Sequence, residues 1–142
     1  MPRHRPILLF CALLGITTPS SAEPVVVVNA ASSVVRLERD EVVNIFLGRY
    51  RRLSTGAIAQ PIDQPERSPL RADFYRRLVN KNVNEIDAYW SRLIFSGKTA
   101  PPLRTVSSQE VATLLAGNPD AIAYLERGQI DKRFRIVLEF PR

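Results

Sequence analysis

Apolar positions in this chain come in short runs whose spacing switches between that of strands and that of helices. Val25 to Val28 is an unbroken β-branched run ended by Asn29, the pattern of a central strand buried on both faces. The polar segment Ala30 to Ser33 leads to Leu37. Asp40 and Glu41 then open a stretch with Val42, Ile45 and Phe46 at helical spacing and Gly48 just beyond. This predicts a short helix with acids in its first turn and a glycine at its C-terminal end. Tyr50 to Leu53 and Ala57 to Ile62 flank Ser54-Thr55-Gly56, a hairpin or tight-loop signal.

Ser68-Pro69 marks a helix start: the serine hydroxyl can cap free N–H groups, and proline suits the first helical position, where an N–H is dispensable. Leu70, Phe74 and Leu78 repeat every four residues, which buries one stripe and leaves Arg71, Arg76 and Arg77 to reach solvent. A second helix is expected from Asn84, turning Ile86, Tyr89, Trp90, Leu93 and Ile94 inward and stopping at Gly97. Pro101-Pro102 breaks the chain. Leu103 to Val106 can form a short strand, and Ser107 with Glu110 makes a capping box for a helix through Leu115 to Gly117. After the Asn118-Pro119-Asp120 turn, Ala121 to Leu125 and Arg133 to Phe140 read as strands. Strands alternating with helices imply an α/β domain with a mixed, mostly parallel sheet of about five strands and helices on both faces. No internal repeat or linker divides it.

The N-terminus reads differently. Arg3, His4 and Arg5 precede an apolar run from Ile7 to Ile16, and a polar stretch ends in Ser20-Ser21-Ala22. These are the parts of a secretory signal peptide, with cleavage expected after Ala22. The run is too short for a bilayer-spanning helix, which needs about 20 apolar residues, so no stable membrane anchor is expected. Cys11 lacks the small residues that precede a lipoprotein cysteine and reads as an apolar residue of the leader. The expected organisation is a signal peptide over residues 1–22 and one periplasmic domain over residues 23–142.

Composition then narrows the chemistry. The only cysteine and the only histidine, Cys11 and His4, both lie in the leader. A mature chain without them lacks the usual zinc ligands, the Cys-His and Ser-His nucleophile pairs and the commonest general base. A non-enzymatic protein without metal or cofactor is therefore expected. Asp63, Glu66 and Asp73 gather near the Ser68 helix start, but solvated loop charges explain them better than a carboxylate-based hydrolase does. Loss of Arg3 and Arg5 lowers the net charge from +6 to +4, which suits anionic partners. The arginines are scattered rather than interleaved with aromatics, which argues against nucleic acid.

Val25-Val26-Val27-Val28-Asn29, Ile45-Phe46-Leu47-Gly48, the Ser68 helix start with Phe74-Tyr75, the Trp90 helix and Asn118-Pro119-Asp120-Ala121-Ile122-Ala123-Tyr124 occur in a characteristic order. In that order the chain resembles phosphate-type ABC transporter substrate-binding proteins over roughly Val25 to Leu125. The resemblance implies a type 2 periplasmic binding protein fold, of which this chain supplies a single lobe. In that family an arginine, followed four residues later by Ser-Gly-Thr at a helix start, holds phosphate. Backbone N–H groups and the positive end of the helix dipole suit such an anion. The corresponding positions here are Gln64, Ser68, Pro69 and Leu70, so only the serine matches. Proline removes an N–H and glutamine removes a charge.

Arg67 and Arg71 flank Ser68 and either restore positive charge or stand as solvated side chains. The candidate ligand-binding residues are thus Ser68, Arg67, Arg71 and Gln64, with Ser68 alternatively only a helix cap. Phe74, Tyr89 and Trp90 read as core. Two functions follow. One is a solute-binding-like protein holding phosphate or another small anion for ABC transport. The other is an interaction or sensory module that docks on an inner-membrane transporter or sensor with vestigial or no ligand binding.

Overall fold

A computed structural model describes residues 23–142; the leader, its cleavage site, His4 and Cys11 lie outside the described residues. In chain order the elements are β1 (Pro24–Asn29), α1 (Arg39–Phe46), β2 (Gln60–Asp63), α2 (Pro69–Val79), α3 (Val83–Ile94), β3 (Leu103–Arg104), α4 (Ser108–Ala116), β4 (Ala121–Glu126) and β5 (Phe134–Glu139). The strands form one mixed sheet in the order β3-β2-β4-β1-β5. β2 pairs in parallel with β3 and β4, whereas β1 pairs antiparallel with β4 and β5. The sheet is thus mixed as expected, with parallel and antiparallel pairings equal in number.

β1 and β4 are buried along nearly their whole length because both faces of the sheet are covered. Strand alternation sends Val26, Val28, Ile122 and Tyr124 to the face covered by α1, α2 and α3, where Phe46, Phe74, Leu78, Ile86 and Trp90 complete the larger core. Val25, Val27, Ala121, Ala123 and Leu125 point the other way, against Val111 and Leu115 of α4. The alanines let α4 approach that face closely.

Three local features depart from the sequence expectations. The Ser54-Thr55-Gly56 turn is present, but only the Arg52–Ile58 bridge forms beside it before β2 begins at Gln60. α3 starts at Val83, because Asn82 caps it in a reciprocal box with Glu85. Its last turn outruns the core, leaving Ile94 56% exposed. β3 is only two residues long, and Val106 lies in open solvent. The Glu110 carboxylate accepts from the Val106 N–H at 2.8 Å, while Ser107 caps α4 by accepting from the Glu110 N–H.

Gly48 joins α1 to the segment beneath α3. Its φ of +69° lies in the left-handed region, and a Cβ there would stand 2.5 Å from Thr99 Oγ1 and 2.8 Å from Trp90 Cη2. Gly48→Ala combines left-handed strain with overpacking. It is expected to destabilise the domain by roughly 2–4 kcal/mol, read as a lowered urea midpoint at unchanged m-value.

Candidate functional site

The Ser68 helix start sits where β2 leaves the sheet. Ser68 is the N-cap of α2: its side-chain oxygen accepts from the Arg71 N–H at 3.4 Å, and Pro69 occupies the first helical position. The Ser68 N–H itself donates to the Pro65 carbonyl, and the Ala72 N–H to the Ser68 carbonyl. With no N–H on Pro69, little of the usual cluster of helix-start donors is left to face an anion.

Arg71 is where the structure corrects the sequence reading most. Instead of reaching solvent it is fully buried, with its Nε 3.2 Å from Asp63 Oδ2 and its Nη2 2.8 Å from Asp87 Oδ1. Asp63, expected in a solvated loop, is 2% exposed, and both of its carboxylate oxygens are paired. Its Oδ1 accepts from the Gln64 N–H and the Tyr124 hydroxyl, and its Oδ2 from Arg71 and, at 2.9 Å, the Tyr75 hydroxyl. The Thr105 hydroxyl donates to the Asp63 carbonyl.

A carboxylate in this position needs such company, because a buried charge without partners is strongly disfavoured. Desolvation pushes the Arg71 guanidinium down, but Asp63, Asp87 and Tyr75 outweigh it and hold the group above its usual value. Burial first, and then the negative charge of Asp63, push the Tyr75 and Tyr124 phenols well above theirs. Both therefore stay protonated donors.

Gln64 is also fully enclosed. Its Nε2 donates to the Tyr124 carbonyl at 2.9 Å, and its Oε1 accepts from the Ser108 hydroxyl at 2.8 Å. It thereby ties β2, β4 and the start of α4 together. Arg67 is exposed beside Ser68. Glu66 is exposed as well, whereas Asp73 is partly buried and pairs along α2 with Arg76 and Arg77. Of the four candidate residues, the structure turns Gln64 and Arg71 inward, leaves Arg67 outside and uses Ser68 as a cap.

The sequence does not disclose Asp63, Tyr75, Asp87, Ser108 and Tyr124 as the members of this network. One contact has a local signal: Arg71, whose guanidinium lies 5.4 Å from the Tyr75 ring centroid, stands four residues before Tyr75 on the flank of the Leu70-Phe74-Leu78 stripe. Among the described residues no group of three or more His, Cys, Asp and Glu converges, and no helix is long and apolar enough to cross a membrane.

No protein-family model matches the sequence, and no curated protein matches it. Solved structures do match the fold. A phosphate ABC transporter substrate-binding protein from Clostridium perfringens, solved with bound phosphate, superimposes with a TM-score of 0.64 at 15% identity, over 81% of this chain and 44% of its own. An ABC-type phosphate transport receptor from Vibrio cholerae gives 0.64 at 19% identity over 81% and 45%. PstS from Borrelia burgdorferi gives 0.62 at 15% identity over 84% and 49%. The chain has the fold of one lobe of these binding proteins. It spans less than half the length of each of them. Within this lobe, the β2–α2 junction carries a buried ion-pair network.

Proposed function

We propose that this lobe is a non-enzymatic, exported module of the solute-binding type that acts by docking on an inner-membrane sensor or transporter. The α2 start then serves as a structural joint rather than as a phosphate cradle. The likeness to transport receptors supports a binding role over a catalytic one. The observation that carries the reading is the closure of the joint. Gln64 spends both ends of its amide on Tyr124 and Ser108, and Arg71 spends its Nε and Nη2 on Asp63 and Asp87. Pro69 has no N–H to offer. An anion taking the Gln64 amide, Arg71 Nε or Arg71 Nη2 as its donor would have to break bonds to buried groups, each worth more than a solvated contact.

One observation favours a second reading, in which a small anion such as phosphate still binds. Arg71 Nη1 is buried without a hydrogen-bond partner, and the exposed Arg67 stands four residues before it. Calorimetry and thermal melting with phosphate and sulfate, on the wild type and Ser68→Ala, separate the two readings. The docking module predicts no saturable heat at millimolar anion and a loss of about 1 kcal/mol of stability in Ser68→Ala from the missing cap. Saturable binding that Ser68→Ala abolishes would establish the anion site instead.

A further inference from the structure

A cavity that includes none of Gln64, Arg67, Ser68 and Arg71 in its lining has a different chemistry. Between the end of α1 and the outer face of α3 lies a pocket of about 280 Å³. Leu47 and Ile86, both buried, and the half-buried Tyr89 form its floor. The Tyr89 hydroxyl donates to the Leu47 carbonyl at 2.6 Å, which uses the phenol's polar end, pins α3 to α1 and leaves the ring to the cavity. Tyr89 also meets Trp90 edge-on, with ring centroids 5.2 Å apart.

Around this floor stand Arg49, Lys81 and Arg92, one from each bordering segment, and all three are exposed. None of them pairs with a carboxylate among the described residues, although ten ion pairs form elsewhere. The one acid on the rim, Glu85, keeps its charge there while its carboxylate accepts from the Asn82 N–H at 2.9 Å and closes the α3 cap. Three cations against one carboxylate, over an apolar floor, leave the cavity net positive. Pockets that combine an apolar body with a few convergent polar groups are the usual form of a small-ligand site.

From this geometry we infer that the α1–α3 cavity binds a small amphipathic anion, with an apolar body on Leu47, Ile86 and Tyr89 and its charge among Arg49, Lys81 and Arg92. Inorganic phosphate supplies the charge without the body, and a neutral alkyl ligand the body without the charge, so neither satisfies the cavity. The site is separate from the α2 start and does not depend on the docking reading.

The test is calorimetric titration of the purified protein with octanoate and with phenyl phosphate. Inorganic phosphate and octyl glucoside serve as the single-feature controls, and fluorescence of Trp90, the only tryptophan, gives a second readout. Saturable sub-millimolar binding of either amphipathic anion is expected, weakening as salt is raised, with no comparable binding of the two controls. Lys81→Glu and Arg92→Glu, each with wild-type circular dichroism and melting, should weaken binding at least about tenfold, while Lys81→Arg should retain it. Absence of saturable binding by both anions would overturn the inference. So would equal binding of inorganic phosphate or octyl glucoside, or affinity unchanged in both charge reversals.

Discussion

Arg71→Ala is expected to destabilise the lobe by about 3–5 kcal/mol, the usual consequence of stripping one partner from a buried ion pair. The variant leaves the Asp63 carboxylate 2% exposed with only its tyrosine and backbone donors, and also frees Asp87 of its closest cation. In a domain of this size the melting temperature should fall by on the order of 12–20 °C. A double-mutant cycle isolates the cause. Asp63→Asn removes the charge that Arg71 neutralises, so adding it to Arg71→Ala should cost far less than adding it to the wild type. Additive effects of the two changes would show that Arg71 contributes by packing alone. Were Arg71 the solvated side chain that its flank position on α2 suggests, the substitution would stay within about 0.5 kcal/mol.

Phe74→Ala should be comparably severe for an unrelated reason. Phe74 is fully buried and lies parallel to Tyr124 with ring centroids 3.7 Å apart, while Phe46, Tyr75 and Phe140 meet it edge-on at 5.0, 5.1 and 6.0 Å. Deleting the ring removes the hub that joins α1, α2 and β4. It also withdraws the surface that holds Tyr124 in line with Asp63. Truncation of a buried phenylalanine costs about 3–5 kcal/mol, measurable as a drop in urea midpoint. Phe74→Leu keeps most of the volume and should lose less than about 1.5 kcal/mol beyond its aromatic contacts. An equal loss in both variants would place the contribution in ring stacking rather than in cavity formation.

Most of the architecture could be read from the sequence because the signals were local. The Val25-Val28 run reads as a central strand covered on both faces, Ser68-Pro69 reads as a helix start, and Gly48 and Gly97 do sit at positive φ where helices end. Strand pairing was less accessible. Nothing in Ala121 to Leu125 or Arg133 to Phe140 states that both run antiparallel to β1, since direction is set by how the connections cross the sheet. The site was least legible. Whether Arg71 faces water or Asp63 depends on where β2, α3 and β4 bring Asp63, Asp87 and Tyr124, contacts spanning up to 61 residues. The helical pattern placed Arg71 at the margin of the apolar stripe, where a one-position difference separates a solvated cation from a buried one. The same blindness hid the roles of Gln64 and Ser108, whose bond crosses 44 residues.

The central claim is that the β2–α2 junction is a closed structural joint. The most direct test is an amide-resolved NMR titration of the protein with inorganic phosphate, following Gln64, Ser68, Leu70 and Arg71. The account predicts that these four resonances stay unshifted to millimolar phosphate while the protein remains folded. Saturable, co-varying shifts at Ser68, Leu70 and Arg71 would contradict it and return the α2 start to the role of an anion site.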